Sequence, residues 1–246
     1  MSLTVDLAVI ATGAFLAALA IGSAGFAFAM VATGIWIYVL PPATIVLMAA
    51  TCGTLLHGIS VWRYRRDIEY RLLWPFVAGG VLGVPVGVLA LHHINLAVFR
   101  HLIGALMIAY SSYTLLRPRL PTLRFPPSAA RSLDAAVGLA GGVLGGLAML
   151  NGVLPTIWCT LRGWDKRRAR YVYQPYILFT GMLVMLLAGI NVNTELSRVG
   201  LYLLVSLPAL MAGLWVGLRV FDRMSEDLFR RLLSWLILAS GVALQF

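Results

Sequence analysis

The chain has 246 residues, of which 61% are hydrophobic and 11% charged, with a mean hydropathy of +0.90. So few polar groups cannot cover a soluble globule; a water-soluble enzyme or binding domain is excluded and an integral membrane protein is expected. The net charge of +10 would point to nucleic acid in a soluble protein. Here Lys and Arg sit in short connections between apolar segments, where retention of basic loops in the cytoplasm accounts for them.

The first residues, MSLTVDLAVIATG, lack a basic n-region, so no cleaved signal peptide is expected. No Asp, Glu, Lys or Arg occurs from Leu7 to Trp62. The part from 7 to 40 reads as a hairpin interrupted at IGSAG, 21 to 25. Apolar stretches of about the 20 residues a spanning helix needs follow at 43–62, 72–91 and 99–116. RPRLPTLRFPPSAAR, 117–131, is rich in Pro and Arg and reads as a cytoplasmic linker. A second long run, 133–161, is interrupted at AMLNGVLP, 148–155, and further spans are expected at 171–190, 198–218 and 229–246. Cys52 and Cys159 lie in apolar segments without a CxxC pair or a His cluster. Two buried thiols are expected, with no disulfide, metal or cofactor.

The linker divides the chain into two similar lengths, 1–116 and 132–246. At an offset of 130, residues 72–110 align with 202–240 without a gap, with nine identities in 39 positions. Gly83 pairs with Gly213, Gly87 with Gly217, Phe99 with Phe229 and Arg100 with Arg230, and small residues at this spacing let helices approach closely. The connection RYRRDIEYR, 63–71, has four Arg, whereas its counterpart NTELSRVGL, 193–201, has one. Conversely, LHHINLAV is poor in Arg while the region around FDRMSEDL is rich in it. Corresponding loops therefore fall on opposite sides of the membrane, and the expected fold is an all-α integral membrane protein of two inverted repeats, each a broken or re-entrant helical hairpin plus three transmembrane helices. The basic loops at 117–131 and 162–170 both belong to the cytoplasm, so the segment between them enters and returns.

A break at membrane depth leaves backbone groups unpaired, which is tolerated only against protein or a watery cavity. Helices starting after Gly22 or Ser23 and after Asn151, the latter with Pro155 in its first turn, present N–H donors with partial positive charge. Two such ends at the midplane make an anion site. Gly22, Ser23, Ala24, Gly25, Asn151 and Gly152 are the expected binding residues, with Ser23 and Asn151 in the N-cap role. A plainer reading of the neighbouring glycines is close helix packing. Thr51, with Thr44 and Thr54 on one helical face, and His57 a turn further line a second wall; Tyr173 and Gln174 are expected beside Tyr176 and Thr180 on another. His57 also fits a satisfied interior group. No carboxylate lies inside an expected transmembrane span for proton or sodium coupling.

The broken Gly-rich hairpins, the LPPAT loop at 40–44 and the WRYRRDIEYRLLWPFVAGGVLGVPVG segment at 62–87 resemble the TauE/SafE family of sulfite exporters across nearly the whole chain. The resemblance implies export of sulfite, an organosulfonate or a related small anion across the bacterial inner membrane, by a multi-pass protein in the lipid bilayer without nucleic-acid partners. The usual run of glycines at each hairpin tip is reduced here to Gly22-Ser23-Ala24-Gly25 and Leu150-Asn151-Gly152. Small carboxylates such as lactate stay open as substrates, a homodimer stays open as the assembly, and an integral membrane enzyme or assembly partner using His57 is the reading from another class.

Overall fold

In the computed structural model, the described residues are 3–20, 27–63, 65–116, 122–123, 125–191, 196–223 and 226–246. They form ten helices and no strand: α1 Leu3–Ala20, α2 Ala27–Trp36, α3 Pro42–Arg63, α4 Tyr70–His93, α5 Leu96–Leu116, α6 Pro127–Ala148, α7 Val153–Leu161, α8 Lys166–Asn191, α9 Leu196–Arg223 and α10 Glu226–Ala243. Five of these, α3, α4, α5, α8 and α9, are long and apolar enough to cross a bilayer, each at the position of an expected span. α10 is helical where the sixth was expected, but its apolar part, Arg231–Ala243, is shorter.

Local chemistry sets the ends. Pro42 opens α3 at a position where its missing N–H costs nothing. The Asn95 side chain accepts from Val98 N at 2.8 Å to start α5, and Asp165 accepts from Arg167 N and Arg168 N, each at 2.9 Å, to start α8. α7 stops in a paired-bond cap, with Gly163 at φ 65°, its N–H on Thr160 O and that of Trp164 on Cys159 O.

The two long apolar runs are hairpins of unequal arms. α2 and α7 have 10 and 9 residues, about 15 and 14 Å at ~1.5 Å per residue, half the ~30 Å of a bilayer core. The break of the first hairpin, 21–26, lies outside the described residues, so the expectation for Gly22, Ser23, Ala24 and Gly25 falls there too.

The chain divides into two compact units. One comprises Met1–Cys52, Ile94–Pro118 and Val192–Phe246, the other Gly53–His93 and Arg119–Asn191. Neither coincides with a sequence half. In the second unit α4 packs on α6: Gly79, Gly83 and Gly87 face the α6 backbone at Ala135, Leu139 and Val143, and Gly138, Gly142 and Gly146 face that of α4 at Phe76, Gly80 and Val84. In the first, α9 packs on α1, with Gly213 against Phe15 and Gly217 against Leu19. The glycines paired by the sequence repeat thus do one job twice, letting the fourth helix of a half lie against the backbone of a hairpin from the other half. The first unit is further held by Trp36 Nε1 donating to Ile10 O at 3.0 Å within its hairpin and by Gly104 against Gly241 between α5 and α10.

Three basic connections meet at one end of the second unit. Arg168 Nε pairs with Glu69 Oε1 at 3.2 Å, Leu123 N donates to Leu161 O at 2.8 Å, and Phe125 stacks on Trp158. Placement of all three on one membrane side, as their charge requires, agrees with this.

Candidate functional site

The second hairpin supplies the site. α6 ends with Met149 in the left-handed region at φ 59°, its N–H on Gly145 O at 2.7 Å. Only four residues, Met149 to Gly152, separate α6 from α7. Gly152 is the N-cap of α7 and no side chain caps this end, while Pro155 removes a first-turn N–H. Asn151, expected to cap, does something else: 1% exposed, it turns its amide to α8, donating to Thr180 Oγ1 at 2.7 Å and Ile177 O at 3.2 Å. The reason is burial. With the tip pressed against α8, the amide N–H groups must find acceptors there, and Thr180, donating onward to Tyr176 O at 2.7 Å, offers one.

Tyr176 fastens the other side of the hairpin, its hydroxyl donating to Gly138 O at 2.7 Å and its ring meeting Phe76 edge-on at 6.3 Å. The α6 glycines therefore divide between two faces. Gly138, Gly142 and Gly146 admit α4, whereas Gly141 and Gly145 admit the returning tip: a Cβ at 145 would lie 2.8 Å from that of Asn151, and one at 141 would lie 2.8 Å from the Tyr176 hydroxyl.

Of the expected residues, Asn151, Gly152, His57, Tyr173 and Gln174 belong to this unit and Thr51 to the other. His57 and Gln174 are each 3% exposed. Tyr173 is half-buried and lies beside Arg170, toward the basic end of α8. Thr51 returns its hydroxyl to Leu47 O at 2.9 Å in its own helix.

One group escaped the sequence reading. α6 begins at Pro127, so Asp134, the one charged residue of the run 133–161, lies in its second turn and is 2% exposed. Its Oδ1 accepts from Trp158 Nε1 at 2.6 Å and Arg162 Nη1 at 2.7 Å. A carboxylate is therefore buried in the hairpin, contrary to expectation, and it is neutralised by the residue that closes α7. Charge next to an apolar run hid it, since Arg162 is 28 residues away.

These features define a polytopic α-helical membrane protein built on hairpins broken inside apolar sequence, the architecture of a transporter. The chain belongs to the sulfite exporter TauE/SafE family, whose model matches residues 10–244. Membership makes it a membrane transporter of small anions in a family of carriers rather than enzymes. Neither the curated proteins nor the solved structures gave a significant match.

Proposed function

We propose that this protein, a chain of two repeats related by inversion, exports sulfite or a small organosulfonate across the bacterial inner membrane by alternating exposure of a site at the break of the second hairpin. The observation that carries the reading is the break at Leu150–Gly152, a helix start without a side-chain cap among residues buried in apolar sequence, where the partial positive charge of the helix end favours an anion. Asn151 acts there as a positioning residue through α8, and Gly152 leaves room for the ligand. The Arg asymmetry of corresponding loops supports inversion.

Export needs no coupling ion. An anion leaving an inside-negative cell gains about 2.3 kcal/mol per charge per 100 mV, and Asp134, the one acidic residue buried among the described residues, is already engaged by Arg162. Flux from proteoliposomes tests the reading with sulfite, sulfoacetate, sulfate, lactate and chloride. Sulfite or sulfoacetate should move, driven by membrane potential alone. Transport of lactate or chloride to the exclusion of both would overturn the substrate class, and a strict requirement for a sodium or proton gradient would overturn the uncoupled mechanism.

A further inference from the structure

The geometry points to Thr54 as an anion-binding residue, its hydroxyl donating to the ligand at the break of the second hairpin; this rests on the reading of that break as the anion site. Among the described residues of the second unit, two side-chain hydroxyl oxygens are shut off from solvent and hydrogen-bond to nothing in the protein, those of Thr54 and Thr156. Thr156 stands on the helix that starts at the break, and Thr54 faces the neighbouring α8. Thr156 is one turn into α7, its N–H on Gly152 O at 3.1 Å. Thr54, on α3, faces Gly181 of α8, where an added Cβ would lie 2.8 Å from Thr54 Oγ1 and 2.9 Å from Met149 Cε.

A helical threonine ordinarily returns its hydroxyl to the carbonyl a turn earlier. Thr51, Thr114, Thr160 and Thr180 do so, whereas Thr33 and Thr44 of the first unit, like Thr54 and Thr156, do not. Thr54 forgoes that bond and points its oxygen at the glycine, the residue beside the Thr180 that holds Asn151. A buried hydroxyl without a partner is costly, and an isosteric valine would avoid the cost. Its partner belongs to another state of the protein, one with an anion bound.

Met149 supplies the cover. It is the one non-glycine residue with positive φ among the described residues, at a helix-end position that glycine fills with less strain. Its side chain is kept there, buried, with its terminal methyl against Gly181 beside the Thr54 hydroxyl. A flexible thioether is easily displaced, so an anion reaching the break exchanges the Met149 methyl for the Thr54 hydroxyl.

The test uses purified full-length Thr54→Val and Thr54→Ser, with sulfite affinity measured by calorimetry and melting measured without anion. Thr54→Val is expected to melt no lower than the parent yet bind sulfite about tenfold more weakly, the worth of one hydrogen bond to a charged group. Thr54→Ser should stay within about threefold of the parent, since it keeps the donor. Parent-like affinity in Thr54→Val, while Gly152→Leu loses sulfite, would overturn the role of Thr54 and leave the break as the anion site. Parent-like affinity in both would overturn the site itself. A lowered melting temperature of Thr54→Val without anion would show that the hydroxyl serves the protein's own packing, and would equally sink the proposal.

Discussion

Replacing Asp134 should expose how firmly the second hairpin is closed at its basic end. Its carboxylate is 3% and the Arg162 side chain 16% exposed, so the pair is largely withdrawn from solvent, and removing one partner of a buried pair costs about 3–5 kcal/mol. Asp134→Asn falls below that range. The amide oxygen still accepts from Trp158, while Arg162 keeps some solvent and its contact with the Trp164 ring at 5.1 Å, so about 2–3 kcal/mol is expected. Asp134→Leu also strips Trp158 Nε1 of its acceptor, adding about 1–3 kcal/mol. Arg162→Leu strands the carboxylate in the hairpin and belongs at the upper end. The double variant Asp134→Leu/Arg162→Leu leaves neither charge unpaired and should recover much of the loss. Equilibrium unfolding in detergent, run as a double-mutant cycle, should return a coupling of about 2–3 kcal/mol. A value below about 0.5 kcal/mol, that of an exposed pair, would refute the burial of this ion pair as the source of its strength.

Leucine at Gly83 or at Gly213 drives a side chain into the backbone of the facing helix, α6 or α1, and each should cost more than the about 1–3 kcal/mol of ordinary overpacking. Both should lose the monodisperse peak in gel filtration, and normal behaviour of Gly213→Leu alone would break the equivalence of the two packings. Asn151→Ser cannot reach α8 and forfeits two hydrogen bonds, about 2 kcal/mol at ~1 kcal/mol each; parent-like thermal unfolding would show that the amide does not staple the tip. With both native thiols buried, single cysteines at Asp67 and Arg167 should be labelled from the same, cytoplasmic, side, because Glu69 and Arg168 are paired. Labelling from opposite sides would overturn the topology.

The transmembrane helices were legible because lipid imposes one requirement on every residue of a span. Uninterrupted apolar runs and basic connections therefore located α3, α4, α5, α8 and α9 to within a few residues. The break at Leu150–Gly152 was legible for the opposite reason, since Asn151, Gly152 and Pro155 are poor choices in the interior of a membrane helix. Partnership between distant helices leaves no such mark. Asn151 meets residues 26 and 29 positions away, and the same side chain serves a cap or a staple depending on where α8 lies. Thr51 and Thr54 were equivalent by spacing, on one helical face. Only the folded structure separates a hydroxyl spent on Leu47 O from one left without an acceptor.

The repeat was visible in sequence, yet the compact units cut across it, and the physics of packing in lipid explains both facts. Sequence similarity at an offset of 130 aligns α4 with α9. It is silent on what each packs against. In a bilayer, apolar area gives helices little reason to prefer one another over lipid, so partners are selected by how closely backbones approach. The glycines of α4 at 79, 83 and 87 find their complement in those of α6 at 138, 142 and 146, beyond the linker, and Gly213 and Gly217 of α9 find theirs against α1, in the half they do not belong to. Each hairpin is therefore seated by a helix from the other half of the chain. A substitution in either half, such as Gly83→Leu, acts on the hairpin encoded in the opposite half.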